Sequence, residues 1–258
     1  MTLRNPFTRK RPTDLFSWFH SHLLPTATDL ADTYRNAQPF PHIVIDDFLP
    51  DDIAALCLAR FPKPEDAHYK QPDVGAHQVR KLGRTQESYF RGVDPGIRRV
   101  LSEFNEMPFL DFLEGLTGIA GLIPDPHFRG GAFHQILAGG KLDMHADFNV
   151  DGRRRLLRRI NVLIYLNRPW PADYGGELCL RRDGASSTSV RVLPIFNRCV
   201  IFNTDSTSLH GHPEPLAAPQ GVTRKSIALY YYTSDPAAFD PNAAHSTIWV
   251  PTNSNDGT

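Results

Sequence analysis

The sequence predicts a mainly β protein with flanking helices, in which a helical N-terminal part supports a β core between about residues 126 and 235. In the second half of the chain, short apolar segments rich in β-branched and aromatic residues are separated by turn residues, which is typical of sandwiches and barrels. In the first half, apolar residues recur at helical spacing instead, as at Val100, Leu101 and Phe104.

The N-terminal part is expected to be largely helical up to about residue 118. In chain order we predict a helix that begins at Leu15 after Thr13-Asp14 and ends at Pro25, a helix from Thr28 through Tyr34, a strand at 42–45, a helix over 53–61, and one or two helices within 95–118. The segment 62–95 is rich in Pro, Gly, His and charged residues. Because long loops in compact domains are often functional, we interpret it as a long loop or a lid with short strands.

The strands of the predicted core follow one another at close intervals. We expect them at 132–137, 160–166, 177–180, 189–193, 198–202 and 226–232. A glycine pair, Gly139-Gly140, follows the first of these segments, and we interpret it as a tight turn.

The composition is that of an ordinary globular protein without a charge bias. Lys and Arg number 28, as do Asp and Glu, so the formal net charge is zero and favours neither nucleic acid nor an anionic membrane. The 3 cysteines are widely spaced, which argues against a disulfide framework and for a reducing compartment. No apolar segment has the length of a membrane span, and the N-terminus lacks the apolar core of a signal peptide. We therefore expect a cytoplasmic protein.

A histidine and an aspartate lie two residues apart in the segment 139–149. On an extended strand, residues i and i+2 point to the same side, so His145 and Asp147 can present a nitrogen and an oxygen to one point. One more histidine from a distant segment would complete a set of two histidines and one carboxylate. That set suits a non-haem Fe(II) that keeps open positions for oxygen and a co-substrate.

Two downstream histidines can supply the third ligand. His210 follows the apolar segment 198–202 after a short polar turn, whereas Pro213 constrains the chain just past His212. We favour His210 and interpret His212 as a loop histidine with structural hydrogen bonds, although the chemistry alone accommodates either residue.

An arginine and a serine open the last apolar segment and share one face of it. The guanidinium of Arg224 can hold a carboxylate bidentately, with the hydroxyl of Ser226 as a second donor. Beside an open iron, this pair fits a dicarboxylic keto-acid that chelates the metal and is held at its far end.

These residues together resemble the Fe(II)/2-oxoglutarate-dependent dioxygenases, specifically their prolyl-hydroxylase-like branch. The matching segments are 39–49, 145–147, 165–167 with Trp170, 175–178, 208–210 and 224–226. The resemblance implies a double-stranded β-helix, or jelly roll. It also implies a dioxygenase domain at 39–240, preceded by an arm and helices at 1–38 and followed by a tail at 241–258.

The resemblance implies Fe(II) as the metal and 2-oxoglutarate and O2 as co-substrates, with ascorbate as a supporting reductant. The implied iron ligands are His145, Asp147 and His210. Related halogenases replace the carboxylate with a small residue, so the presence of Asp147 favours hydroxylation.

The resemblance also implies which residues contact the co-substrate. Arg224 would bind the distal carboxylate of 2-oxoglutarate, assisted by Ser226 and Tyr165. Many prolyl hydroxylases have a tyrosine on the strand before HxD, and in this chain Gln135 is the plausible substitute.

Four further residues are predicted to lie near the substrate. They are Asn149, Arg159, Asn161 and His134. Arg159 and Asn161 share a strand face with Leu163, so they line the pocket if that face points inward. The basic cluster 153–159 is most simply a solvated face, with binding of an acidic substrate as the alternative.

The predicted activity is hydroxylation of an unactivated C–H bond in an amino-acid residue, either free or within a peptide or protein. One alternative is a tailoring hydroxylase of a small metabolite or a sugar-containing molecule. Another is a non-catalytic, cupin-like metal-binding module, which the Arg224 clamp disfavours because a structural metal needs no carboxylate clamp. A nucleic-acid demethylase is weaker still, since only the cluster 153–159 hints at a basic surface.

Overall fold

The structure is a computed structural model that describes most of the chain. The described residues are 13–65, 74–84, 93–184, 188–235 and 239–250. Most of the predicted arm, the end of the predicted tail and two stretches of the predicted lid, 66–73 and 85–92, lie outside these ranges. Within them, no helix combines the length and apolarity that crossing a bilayer requires.

The helices precede the β core, as the sequence predicts. In the described ranges they are Leu15–Trp18, Phe19–Leu23, Leu24–Thr26, Ala27–Asn36, Asp51–Ala59, Pro95–Glu103 and Met107–Thr117, with short turns at Ala172–Tyr174 and Pro241–Ala243. The first four form one helical segment, so the predicted helix end at Pro25 is wrong. Pro25 lies in the first turn of Leu24–Thr26, a position where the missing backbone N–H of proline is tolerated.

The strands form a single antiparallel sheet that curls on itself. Those in the described part are β1 (His42–Ile45), β2 (Gln78–Arg84), β3 (Ile123–Pro124), β4 (Ala132–Ala146), β5 (Val150–Asp151), β6 (Leu156–Tyr165), β7 (Leu178–Arg182), β8 (Ser189–Val192), β9 (Arg198–Asn203), β10 (Ser208–His212), β11 (Arg224–Thr233) and β12 (Ile248–Trp249). The order along the sheet is β1-β9-β6-β11-β4-β10-β7-β8, with β2 and β12 also pairing with β4.

One long strand, β4, belongs to both halves of this sheet. Its first residues pair with β11 and its last residues pair with β10. Between them the strand bends at Gly139, whose φ is +75°, and Gly140 leaves no room for a side chain, because a Cβ would lie 2.8 Å from the Leu137 oxygen. The predicted tight turn at this pair is therefore wrong: the chain bends within a strand that runs on to the HxD motif.

The helices pack against one face of the larger half-sheet. Phe19, Phe104 and Phe109 form a fully buried aromatic cluster, with ring centroids 4.9 to 5.3 Å apart. Tyr231 of β11 joins it and donates a hydrogen bond of 2.9 Å to the Phe104 carbonyl. Burying each such ring contributes about 2 kcal/mol, so this packing fixes the helices to the sheet. Because side chains alternate along a strand, Tyr230 points to the opposite face, which is the inside of the barrel.

Candidate metal centre and co-substrate pocket

The inner face of the barrel holds a cavity of about 240 Å³. Strand register places polar side chains of neighbouring strands side by side in it: Ser226 of β11 lies opposite His134 of β4, and Arg224 lies opposite Ile136. The polar residues that line the cavity are Gln78, Lys81, His134, His145, Asp147, Arg158, Asn161, His210, His212, Arg224, Ser226, Tyr230 and Thr247.

Two histidines and an aspartate meet at one side of this cavity. His145 and His210 are direct register partners on the antiparallel strands β4 and β10, and Asp147 follows directly after β4. The Nε2 atom of His210 lies 3.3 Å from Asp147 Oδ2, and that of His145 lies 3.7 Å from Asp147 Oδ1. One potential ligand atom from each of the three lies within 4.8 Å of the others, the arrangement of a facial metal site.

The protonation of His145 suits metal binding. Its Nδ1 atom lies 2.9 Å from the Asp143 carbonyl oxygen, so Nδ1 carries the proton and Nε2 presents its lone pair to the site. Burial and the neighbouring His210 lower the pKa of His145 to about 3. The imidazole is therefore a neutral ligand at physiological pH.

A glycine allows the two histidine strands to approach each other closely. Gly211 lies between the two histidines of β10, and a Cβ there would lie 2.7 Å from the Asp143 oxygen and 2.8 Å from the Leu142 oxygen. Because real Cβ contacts are longer than this, any larger residue would push β10 away from β4. The spacing between His145 and His210 therefore depends on this glycine.

Asp147 is held in place by a buried arginine and an asparagine. Arg158 Nη2 and Asn161 Nδ2 donate hydrogen bonds of 2.7 and 2.8 Å to Asp147 Oδ2. The guanidinium lies over the rings of Phe148 and Tyr230, with its carbon 4.6 and 3.5 Å from their centroids. Burial raises the pKa of Asp147, but the positive charge of Arg158 outweighs that effect and holds the pKa well below its ordinary value. The carboxylate therefore stays ionised and oriented for a metal.

We expect that removing this clamp weakens metal binding. Arg158→Met and Asn161→Ala should each lower the affinity for Co(II), used as a spectroscopic stand-in for Fe(II), by about tenfold, since partners of a ligand typically contribute 10- to 100-fold. Arg159→Met is the matched control, because the Arg159 guanidinium bonds to Thr233 outside the cavity. The Co(II) dissociation constant, measured from its visible absorption, tests this, and equal constants for Arg158→Met and Arg159→Met would contradict it.

Arg224 lies across the cavity and is anchored on two sides. Its Nε donates a hydrogen bond of 2.7 Å to the Gly176 carbonyl, and its Nη2 donates one of 3.3 Å to the Tyr165 hydroxyl oxygen. Gly176 has a φ of +71°, and a Cβ there would collide with Leu216. Burial raises the pKa of Tyr165, so its hydroxyl keeps a proton that can be donated onward to a bound carboxylate. The structure thus brings together Arg224, Ser226 and Tyr165, as the sequence predicts.

His212 lies on the same face of β10 as His210, between the metal site and Arg224. It is buried, and neither ring nitrogen has a hydrogen-bond partner among the described residues. Burial, reinforced by Arg224, lowers its pKa well below the ordinary value, so the ring is neutral and offers one donor and one acceptor. The predicted role as a loop histidine with structural hydrogen bonds is therefore wrong. An unpaired buried imidazole is costly, and its position fits a polar ligand that spans from the metal to Arg224.

Three residues predicted at the site lie outside the cavity. Gln135 alternates with His134 and Ile136, so it points to the outer face and donates to Thr223 Oγ1 at 2.7 Å. Asn149 instead holds the C-terminal segment through the Ala243 carbonyl and the His245 amide.

Arg159 is displaced by a β-bulge. Ile160 of β6 pairs with Tyr231 of β11, and the next residue, Tyr232, pairs with Arg158. Arg159 is therefore the extra residue of the bulge, and the side of the sheet to which each β6 side chain points shifts by one residue. Arg158 therefore enters the cavity in place of Arg159. Asn161 and His134 do line the cavity, as predicted, and His134 Nε2 lies 2.9 Å from the Gly130 carbonyl oxygen.

Three charged or aromatic residues at key positions of the cavity are among those that sequence reasoning missed. Lys81 comes from β2 within the predicted lid, and Trp249 comes from β12 within the predicted tail, where its ring centroid lies 4.9 Å from that of His145. The third is Arg158. The short apolar run at 248–250 was the available indication of a strand in the tail.

Comparison with known proteins confirms the predicted resemblance. Residues 131–232 match the family model of the 2OG-Fe(II) oxygenase superfamily, a range that contains the three candidate metal ligands and Arg224. No curated protein matches the sequence significantly.

Solved structures with a similar fold include two prolyl hydroxylases. One, from Trichoplax adhaerens in complex with a hypoxia inducible factor oxygen degradation domain peptide fragment, has a TM-score of 0.59 and 19% identity and covers 86% of this chain and 94% of its own. A prolyl-4-hydroxylase from Pseudomonas putida has a TM-score of 0.54 and 18% identity, over 81% of this chain and 100% of its own. HygX from Streptomyces hygroscopicus, with nickel, 2-oxoglutarate and hygromycin B bound, has a TM-score of 0.50 and 13% identity, over 75% of this chain and 83% of its own. These similarities confirm the jelly-roll fold.

Proposed function

We propose that this chain, a member of the 2OG-Fe(II) oxygenase superfamily, hydroxylates an unactivated C–H bond of an amino-acid residue, free or within a peptide or protein. The observation that carries the proposal is that His145, Asp147 and His210 share one cavity with the Arg224 guanidinium. The metal is Fe(II) and the co-substrate is 2-oxoglutarate. A non-catalytic, cupin-like module would need the three metal ligands but not the Arg224 guanidinium.

The residues fit both groups. The three ligand side chains would hold Fe(II) on one face, which leaves the opposite face open for small molecules. The distal carboxylate of 2-oxoglutarate would be bound by Arg224, by the Ser226 hydroxyl and by the proton of the Tyr165 hydroxyl. His212 would form a hydrogen bond with the part of 2-oxoglutarate that lies between the metal and Arg224. Bound iron and 2-oxoglutarate supply the oxidising chemistry, in which O2 is consumed, 2-oxoglutarate becomes succinate and CO2, and one oxygen atom enters the substrate.

The protein's own contribution is to orient groups. Asp147 keeps its charge and direction because Arg158 and Asn161 hold one of its oxygens. The ring of Trp249 lies against His145, with the two ring centroids 4.9 Å apart. Side chains that are held in this way keep the candidate ligands in the geometry that the metal needs.

The support for an amino-acid substrate is the fold likeness to two prolyl hydroxylases, one of which binds a peptide. HygX, of the same fold, binds the small molecule hygromycin B. A substrate screen should therefore contain both proline-containing peptides and sugar-containing metabolites. A mass increase of one oxygen in a peptide would support the proposal, and one in a metabolite alone would favour the tailoring-hydroxylase alternative.

The activity itself is tested by succinate formation from 2-oxoglutarate with Fe(II) and ascorbate under air. We expect slow uncoupled turnover by the wild-type protein and none by His145→Ala. Lys63→Met, which alters an exposed lysine, serves as the control. The anaerobic visible charge-transfer band of the Fe(II)/2-oxoglutarate complex provides a second readout that needs no substrate. If folded, metal-loaded protein showed neither turnover nor the band, the proposed function would be wrong.

A further inference from the structure

Lys81 places a third cationic side chain in the cavity, and the co-substrate site described above does not use it. It lies on β2 opposite Ile136 of β4, which in turn lies opposite Arg224 of β11. The three residues thus form one row across three adjacent strands and face the cavity. In the part of the chain that the structure describes, the Lys81 ammonium has neither a hydrogen bond nor an ion pair. A lysine enclosed in this way without a partner is uncommon, because burying an unpaired charge is costly.

The charges around the cavity are unbalanced. Its lining contains three cations, Lys81, Arg158 and Arg224, and one carboxylate, Asp147. Fe(II) and the dianion of 2-oxoglutarate carry equal and opposite charges, so their binding leaves the positive excess unchanged. Arg158 is paired with Asp147, and Arg224 has a carboxylate partner once 2-oxoglutarate binds. Among the cavity residues that the structure describes, the Lys81 ammonium is the cation that still lacks a counter-charge.

We propose that Lys81 binds a side-chain carboxylate of the primary substrate, so that the enzyme acts on an acidic amino-acid residue. The proposal rests on the proposed function, because it assigns the substrate class of that same site. In the proposed function the co-substrate would not supply this carboxylate, since one of its two carboxylates would be held at the metal and the other by Arg224. A substrate carboxylate at Lys81 would hold the molecule in the cavity that the candidate metal ligands also line, at the side where β2 borders β4.

The electrostatic surroundings of Lys81 make the interaction sensitive to pH. Burial lowers the pKa of Lys81 to about 8, and the effect of Asp147, which raises it, is countered by Arg224 and Arg158. The other titratable groups that face it, His134 and His145 of β4 and His212 of β10, are neutral because burial lowers their pKa values. Lys81 is therefore charged below about pH 8 and loses its proton above it. Affinity for a carboxylate at this position should decrease as pH rises through that value.

The test compares acidic probes with their amides on the Fe(II)/2-oxoglutarate holoenzyme. The C-terminal amides of N-acetyl-aspartate and N-acetyl-glutamate are titrated against the C-terminal amides of N-acetyl-asparagine and N-acetyl-glutamine without oxygen, and the shift of the charge-transfer band reports binding. In these probes the side chain carries the only carboxylate. For wild-type protein we expect the acids to bind about tenfold or more tightly than the amides, the contribution of one charge-assisted hydrogen bond. Lys81→Met should abolish this preference and Lys81→Arg should restore part of it, while Lys63→Met should behave like the wild type.

Each possible outcome decides the assignment. If wild-type protein binds acids and amides equally, or if Lys81→Met keeps the preference for acids, the proposal is overturned. If Lys81→Met instead weakens 2-oxoglutarate binding by tenfold, Lys81 belongs to the co-substrate site, and the assignment to the substrate is wrong. Absence of both the charge-transfer band and turnover in folded, metal-loaded wild-type protein would refute the proposed function and is distinguishable from all of these results.

Discussion

Replacing His210 by alanine should abolish metal binding and lower 2-oxoglutarate turnover by about a thousandfold or more, since a bound metal supplies several kcal/mol of catalysis. His212→Ala should keep the metal and lower only the affinity for 2-oxoglutarate. The two residues share a strand face, but His210 is the register partner of His145 and lies 3.3 Å from Asp147, whereas His212 lies opposite Leu142. Comparing His210→Ala with His212→Ala therefore distinguishes the proposed metal ligand from a neighbouring histidine.

Metal binding can be followed independently of activity. Co(II) at one hundred times its dissociation constant stabilises a folded protein by about 2.7 kcal/mol, which raises Tm by roughly 5 °C or more for a chain of this size. Wild-type protein and His212→Ala should both show this rise, and His210→Ala should not. If Co(II) raised the Tm of His210→Ala but not that of His212→Ala, His212 would be the metal ligand instead of His210.

The convergence of two of the candidate metal ligands was predictable because its information is local. His145 and Asp147 are two positions apart, the first near the end of β4 and the second directly after it, and this spacing directs both side chains to one side. The co-substrate pair Arg224 and Ser226 follows the same rule. The helical segments were predictable from their apolar spacing, although the boundary at Pro25 was not, since proline is acceptable in a first turn.

The parts that could not be predicted depend on pairing between distant strands. Arg158 enters the cavity instead of Arg159 because a bulge opposite β11 shifts the alternation by one residue. Lys81 reaches the cavity because β2 pairs with β4. The sequence of β2 alone does not indicate which strand it pairs with. The choice of His210 over His212 likewise becomes clear only from the register of β10 on β4, which Gly211 permits by its lack of a side chain.

These unpredicted residues share one property, which is that they adjust the site and do not define its chemistry. In the proposed function the candidate ligands and Arg224 specify which cofactors bind, and such residues fall into short patterns because one strand segment carries two of them. Arg158 and Lys81 set the charge around those cofactors and come from elements far apart in the chain. Substrate preference should therefore be sought among the residues that the fold, not a motif, brings to the cavity.

Replacing Arg224 by methionine should raise the dissociation constant for 2-oxoglutarate by about 100-fold, because two charge-assisted hydrogen bonds of about 1.5 kcal/mol each are lost. Arg224→Lys should keep the charge but lose the fork geometry, and its affinity should lie between those of the wild type and Arg224→Met. The guanidinium is pre-positioned by the Gly176 carbonyl and the Tyr165 hydroxyl, so it binds without first having to be ordered. Anaerobic titration of the charge-transfer band measures the constant.

A second measurement separates this role from a structural one. The affinity for Co(II) alone should be unchanged in Arg224→Met, since Arg224 makes no contact with His145, Asp147 or His210 in the described structure. Arg191→Met is the matched control, because Arg191 is an exposed arginine that bonds to Glu214 at 2.7 Å. Loss of Co(II) affinity together with 2-oxoglutarate affinity would mean that the substitution disturbs the barrel. Unchanged 2-oxoglutarate affinity would mean that another group holds the distal carboxylate, and Lys81 would then be the first residue to replace.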